Sequence, residues 1–280
     1  MKKILRIPNE NLTSLVGIVP QGTTRIYCDN NELTSLEGLP ESIKYIDAHN
    51  NKLTSLKGLP KGVQKIHCSN NQLTSLEGLP EGAKNIWCSI NQLTTLEGLP
   101  EGLTDIKCAY NKLTSLEGVP ATVIYLDCSR NKLTSLKGVP ATVTHLDCSH
   151  NELMSLDELG LLEGLTQLIC SFNKLTSLKG LPEGMRVIWC HRNNLTSFEG
   201  LPASIEIVSC AFNSISSLEG LPAKTKRLFC NNNLLTSLEG RPKRMSISYV
   251  NNPIWWRRLR SNLDARLTDK GCYTILKYIT

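Results

Sequence analysis

Apolar residues return along this chain about every twenty positions. In residues 66–80 the apolar places are Ile66, Cys68, Leu73, Leu76 and Leu79, with Asn71, Gly78 and Pro80 set between them. The Asn of this phrase recurs at 31, 51, 71, 91, 111, 131, 151, 173, 193, 213, 233 and 252. A period of this size marks a repeat array, in which each coil packs chiefly on its neighbours. Val63, Ile66 and Cys68 alternate with polar or mixed residues, which predicts a short strand with one buried face. Leu73, Leu76 and Leu79 follow at intervals of three, and Gly78 and Pro80 close the coil. Gly supplies unusual backbone angles, and Pro suits an extended segment rather than a helix. Too few residues remain for an ordinary outer helix, so the outer wall is expected to be extended, polyproline-like or made of tight turns.

Each recurring Asn stands where the chain turns into the core. A turning backbone leaves N–H and C=O groups without partners, and an Asn side chain offers both an acceptor and donors. Stacked coils would repeat that arrangement as a ladder.

The rhythm weakens in three places. The first coil is degenerate, with Leu5, Ile7 and Leu12 in the apolar slots and Glu10 in the Asn slot. Residues 1–20 are expected to form an N-terminal cap, because an end coil must shield the core on one side. Between Asn151 and Asn173 the spacing widens, and Leu159 to Gly164 replace the usual Gly-Leu-Pro. A short helical turn with altered curvature is expected there, either as a tolerated outer-loop insertion or as a marked site. After Asn252 the repeat stops. Trp256, Leu259, Leu263 and Leu267 share one helical side, and Thr268 or Asp269 would cap a second short helix. The expected organisation is thus a cap over 1–20, repeats over 21–252 and a helical cap over 253–280.

Composition sharpens this picture. Apolar residues make up 40% of the 280 but aromatics only 5%, so aliphatic side chains must fill the core. Ten of the eleven cysteines share one slot, at 28, 68, 88, 108, 128, 148, 170, 190, 210 and 230, and Ala48 and Tyr249 hold that slot elsewhere. Free Cys behaves as a small hydrophobe, so the slot is read as buried packing in a reducing, cytoplasmic setting. The net charge of +6 lies in the tail: residues 241–280 hold nine Lys or Arg against two Asp, leaving 22 basic against 23 acidic elsewhere. The N-terminal apolar run is too short for a secretory signal, and no run approaches a membrane span.

The phrase Val63-x-x-Ile66-x-Cys68-x-x-Asn71-x-Leu73 resembles the leucine-rich repeat, LxxLxLxxNxL, with Cys in the third apolar slot. The period and the trailing Leu-Pro look like the short class found in secreted bacterial effectors. The Cys and the LTSLEGLP wording look closer still to leucine-rich-repeat proteins of giant amoeba viruses and some phages. The resemblance covers roughly residues 4–254. It implies a β-rich, right-handed curved solenoid whose parallel strands line a concave, protein-binding face. The effector ligases of this class carry a large C-terminal domain with a Cys nucleophile. Here Cys272 is the one off-register Cys, with no His near it in sequence, and no catalytic role is assigned to it.

Candidate binding residues are those flanking the buried strand positions. Tyr45, His67, Trp87, Lys107, Tyr110, Tyr125, Phe172, Trp189, Phe212 and Phe229 are expected on the concave face, together with all five His. Exposed aromatics among scattered charge are the anchors that protein interfaces use. His145 and His150 lie close in sequence, but no ligand set at zinc-like spacing completes them, so no metal or cofactor is assigned. Catalytic triads, paired carboxylates and phosphate loops are likewise absent as motifs. The leading expectation is a monomeric, non-enzymatic scaffold for a protein partner, a host protein if the source is a virus or pathogen. The alternatives are nucleic-acid or acidic-surface binding by the basic tail and a substrate adaptor for a separately encoded ligase.

Overall fold

A strand can stack on its copy one coil later only if side chains of one parity point inward at the same height. This repeat satisfies that condition, and a computed structural model, which describes residues 3–254, shows the result. Thirteen parallel strands run in sequence order: β1 (Lys3–Arg6), β2 (Thr23–Tyr27), β3 (Tyr45–Asp47), β4 (Lys65–His67), β5 (Asn85–Trp87), β6 (Asp105–Lys107), β7 (Tyr125–Asp127), β8 (His145–Asp147), β9 (Gln167–Ile169), β10 (Val187–Trp189), β11 (Ile207–Ser209), β12 (Arg227–Phe229) and β13 (Ser246–Ser248). Each central residue faces its counterpart, as Ile46 faces Ile66 and Ile66 faces Ile86. The pairing absorbs the longer repeat without breaking: His145 pairs Gln167 and Leu146 pairs Leu168.

The core is one continuous column of aliphatic side chains. Ile46, Leu53, Leu56 and Val63 are fully buried, and their equivalents in the central coils are buried too, while Leu12, Leu238 and Ile247 in the end coils are only partly so. Each such side chain contributes about 1.5–3 kcal/mol when withdrawn from water. All ten in-register thiols are free and buried, as their slot predicts. Desolvation pushes the Cys68 and Cys190 thiols up to about 12. Such groups stay neutral and chemically quiet.

The expected polar ladder is present. Asn71 Oδ1 accepts the N–H of Leu53 in the preceding coil at 2.9 Å. Its Nδ2 donates to the carbonyls of Ala48 and Cys68 at 3.1 and 3.0 Å. The same three contacts recur from coil to coil and reach Asn252, which bonds Leu235 N and the carbonyl of Cys230. Beyond it Pro253 has no N–H to give, and the Ile254 N–H reaches Leu235 O at 2.9 Å in the place of the residue that follows Asn in other coils.

The outer wall is made of tight turns, one of the forms expected. In a typical coil Leu79 N bonds Leu76 O, and Ala83 N bonds Pro80 O. Gly is required at the third place of the first turn. Gly138 has φ +96°, and a Cβ there would lie 2.6 Å from the Leu116 backbone of the neighbouring coil. Where Leu159–Gly164 replaces the usual phrase, a short 3-10 helix forms over Asp157–Leu161 and buries Leu159. The helical cap expected over 253–280, with Cys272 and most of the basic tail, lies outside the described residues apart from Pro253 and Ile254. Among the described residues no helix is long and apolar enough to cross a membrane.

Candidate interaction surface

Three-residue strands leave only their first and third side chains on the concave surface. The third place reads Tyr27, Asp47, His67, Trp87, Lys107, Asp127, Asp147, Ile169, Trp189, Ser209 and Phe229. Of the candidates chosen from sequence, Tyr45, His67, Trp87, Lys107, Tyr125, Trp189 and Phe229 lie on this sheet. Several of them touch a side chain on the next coil. His67 meets Trp87 edge-on at 5.2 Å, and Lys107 Nζ sits 4.7 Å from the Trp87 ring centre. Tyr125 stacks on His145 at 4.6 Å. Trp189 and Phe229 stand two coils apart, with Ser209 between them.

Tyr110, Phe172 and Phe212 lie elsewhere. Each follows its strand by three residues and sits on a ridge along the C-terminal edge of the sheet rather than on the sheet itself. The reason is the shortness of the strand, which ends before the Cys slot. Every residue of this ridge has a left-handed backbone, with φ between 53° and 57° at 30, 50, 70, 90, 110, 130, 150, 172, 192, 212, 232 and 251. The left-handed region costs most L-residues about 1–2 kcal/mol, and Asn tolerates it best. Asn does occupy this column at both ends of the array, at 30, 50, 70, 232 and 251. There the amides chain together, Asn50 Nδ2 to Asn30 Oδ1 at 2.7 Å and Asn70 Nδ2 to Asn50 Oδ1 at 2.6 Å.

In the seven coils between, Asn is replaced by Ile90, Tyr110, Arg130, His150, Phe172, Arg192 and Phe212. Ile90 and Tyr110 are each 50% exposed, Phe212 45% and Phe172 36%. Their neighbours pair with them. The Arg130 guanidinium lies 4.6 Å from the Tyr110 ring centre, His150 stacks on Phe172 at 3.9 Å, and Arg192 lies 4.4 Å from the Phe212 ring centre. Burial, then the nearby Arg130, lowers the pKa of His150. Burial, then Arg192, does the same for His191. Ile90, Arg130 and Arg192 were missed from sequence. The signal available was the doubled Asn-Asn of the end coils, whose first member gives way in the centre.

A shallow depression on the sheet is lined by Tyr45, Lys65, His67, Asn85, Trp87 and Asp105. Trp87 Nε1 and Asp105 Oδ1 are buried there without a hydrogen-bond partner. Beside it Asp47, His49 and His67 converge, a set that spacing along one coil did not reveal. They come from adjacent coils, and only the period of twenty places 47 beside 67.

Thirteen stacked parallel strands, an asparagine ladder and a wall of tight turns define a leucine-rich repeat solenoid. Among solved structures the chain is similar to YopM from Yersinia enterocolitica WA-314, with 29% identity and a TM-score of 0.76 over 85% of this chain and 53% of that one. It is similar also to YopM, a leucine-rich effector protein from Yersinia pestis, with 26% identity and a TM-score of 0.71 over 88% and 77% of the two chains. A leucine-rich repeat protein of Leptospira interrogans matches at 22% identity and a TM-score of 0.67 over 87% and 71%. The chain thus spans about half the length of the Yersinia enterocolitica protein. No protein-family profile and no curated protein matches it. These neighbours, bacterial YopM effectors among them, carry the leucine-rich repeat reading and lend no support to the giant-virus likeness.

Proposed function

We propose that this protein is a non-enzymatic scaffold that docks a partner protein along the concave sheet and its C-terminal ridge. One observation carries the reading. Seven consecutive central coils place bulky or charged residues in a left-handed column that Asn fills at both ends. The apolar members of that series stay substantially exposed, so core packing does not repay their backbone cost. Strain held at exposed positions is a mark of function rather than of stability. Aromatic and Arg side chains are also the groups that anchor protein interfaces. The unpartnered Trp87 donor and Asp105 acceptor supply polar points on the adjoining sheet.

Likeness to the Yersinia effector supports a partner of host origin, met in the host cytoplasm. The scaffold would act as a monomer, since the arc presents its binding face without a second copy. Capping by 1–20 and 253–280 belongs to the same proposal.

The test is affinity capture from host extract with the wild type and the Tyr110→Asn/Phe172→Asn/Phe212→Asn variant. Asn is the native occupant of this column, so the variant is expected to fold with equal or higher stability and to lose its partner. Trp87→Ala/Trp189→Ala is expected to weaken capture as well. Retention of the same partner by both variants would remove the concave face and ridge from the reading.

A further inference from the structure

The two ends of the concave sheet differ in chemistry, and near the N-terminal end three metal-ligating side chains converge. Asp47 ends β3, His67 pairs with it across the sheet on β4, and His49 follows Asp47 by two residues. His49 Nδ1 and His67 Nδ1 lie 2.6 and 3.1 Å from the same Asp47 oxygen, Oδ1. One ligand atom from each residue falls within 4.8 Å of the others. Among the described residues this is the one such convergence of three His, Cys, Asp or Glu side chains. His49 and His67 also stack on each other, with ring centres 4.7 Å apart; the remaining histidines pair with aromatic rings away from any such cluster, His145 on Tyr125 and His150 on Phe172, with His191 edge-on to Phe172.

We infer that Asp47, His49 and His67 form a binding site for a divalent transition metal of the zinc type. Four observations support it. Two imidazole nitrogens and one carboxylate oxygen suit Zn2+, Co2+ or Ni2+, whereas Ca2+ and Mg2+ prefer oxygen donors throughout. Bonds of about 2.0–2.2 Å to such a metal place tetrahedral donors roughly 3.3 Å apart; the 3.1 Å between His67 Nδ1 and Asp47 Oδ1 fits that spacing, and the 2.6 Å hydrogen bond from His49 Nδ1 would widen as a metal enters. The far nitrogen of His49, Nε2, faces Asp29 Oδ2 at 3.9 Å, and Asn30 Nδ2 holds that oxygen at 2.8 Å. That carboxylate stands behind the imidazole, beyond hydrogen-bond distance, where it would draw in an Nε2 proton once Nδ1 turns to a metal. The three side chains are 13–28% exposed, so the site opens onto the concave solvent and water completes the coordination.

Without a metal, His49 Nδ1 and Asp47 Oδ1 share a hydrogen bond of 2.6 Å, and a metal entering the site displaces the proton that joins them. The strands hold the donors in register before any metal arrives, so little ordering is left to be done on binding. Trp87 against His67 fixes the second ring.

The experiment is a titration of the full chain with Zn2+ by calorimetry and with Co2+ by optical absorption at neutral pH. Saturable one-to-one binding is expected, with a visible Co2+ band and no thiolate charge-transfer absorption. His49→Ala, His67→Ala and Asp47→Asn are each expected to weaken binding by at least tenfold, with His150→Ala unchanged and all four variants folded by circular dichroism. Three results would each overturn the site: absence of saturable binding, affinity unmoved in His49→Ala and His67→Ala, or a thiolate band showing that cysteines bind the metal.

Discussion

The side chain of Asn111 crosses a coil boundary to Cys88, its Nδ2 lying 3.1 Å from the Cys88 carbonyl oxygen, and holds its own coil by a second bond to Cys108 O at 3.0 Å. Its Oδ1 takes the Leu93 N–H of the previous coil at 3.0 Å. One side chain therefore ties the polar backbone of two coils at the point where each turns into the core.

Removing that side chain tests the ladder directly. Asn111→Ala would leave the Leu93 N–H and part of the Cys88 and Cys108 carbonyl capacity unpaired, at about 1–3 kcal/mol for each group left buried without a partner. Chemical unfolding should show a lower midpoint. Hydrogen exchange should show fraying centred on the Leu93 and Leu113 coils, because contacts in a solenoid are with neighbouring coils only. An unaltered midpoint would mean that water serves these groups as well as Asn does.

The ridge makes the opposite prediction. Ile90 holds φ +56°, a backbone region in which a β-branched residue is an outlier. Ile90→Asn should raise stability by about 1 kcal/mol, and the new amide would stand one coil beyond Asn70 at the end of the exposed Asn chain. A fall in stability would show that the isoleucine is held for packing rather than for contact with a partner.

The thiol column sets a limit at alkaline pH. Unfolded thiols begin to ionise near the ordinary value of 9.0, whereas burial holds Cys68, Cys190 and Cys230 at about 12. Between those values the unfolded chain binds fewer protons than the folded one, so stability falls as pH rises. Each such thiol removes about 1.4 kcal/mol per pH unit in that window. Thermal unfolding followed from neutral pH to above 10 should show a steep decline. A variant with several of these cysteines changed to Ala, the residue already present at Ala48, should decline less. Parallel profiles for the two proteins would exclude the thiols as the cause.

Much of the architecture was legible before any coordinates. The spacing of Leu73, Leu76 and Leu79 carried the core, the Cys slot carried its burial, and the Asn column carried the ladder. The site was legible only in part. Trp87, Lys107 and Tyr125 were placed correctly on the sheet, because side chains flanking a buried strand residue must face outward. The ridge was not, because a requirement for positive φ depends on how the chain leaves the strand, and Ile90 shows no sign of it in its own neighbourhood. Asp47 and His67 likewise became partners only through stacking.

The sequence by itself determined that this chain is a stack of repeating coils with an aliphatic interior, since a period and an inward parity are properties of order along the chain. Tertiary structure decided which residues twenty apart share a surface, which backbone positions bear strain, and where two imidazoles meet one carboxylate. Those depend on distances between coils, and such distances arise only when neighbouring coils close their hydrogen bonds and come into register.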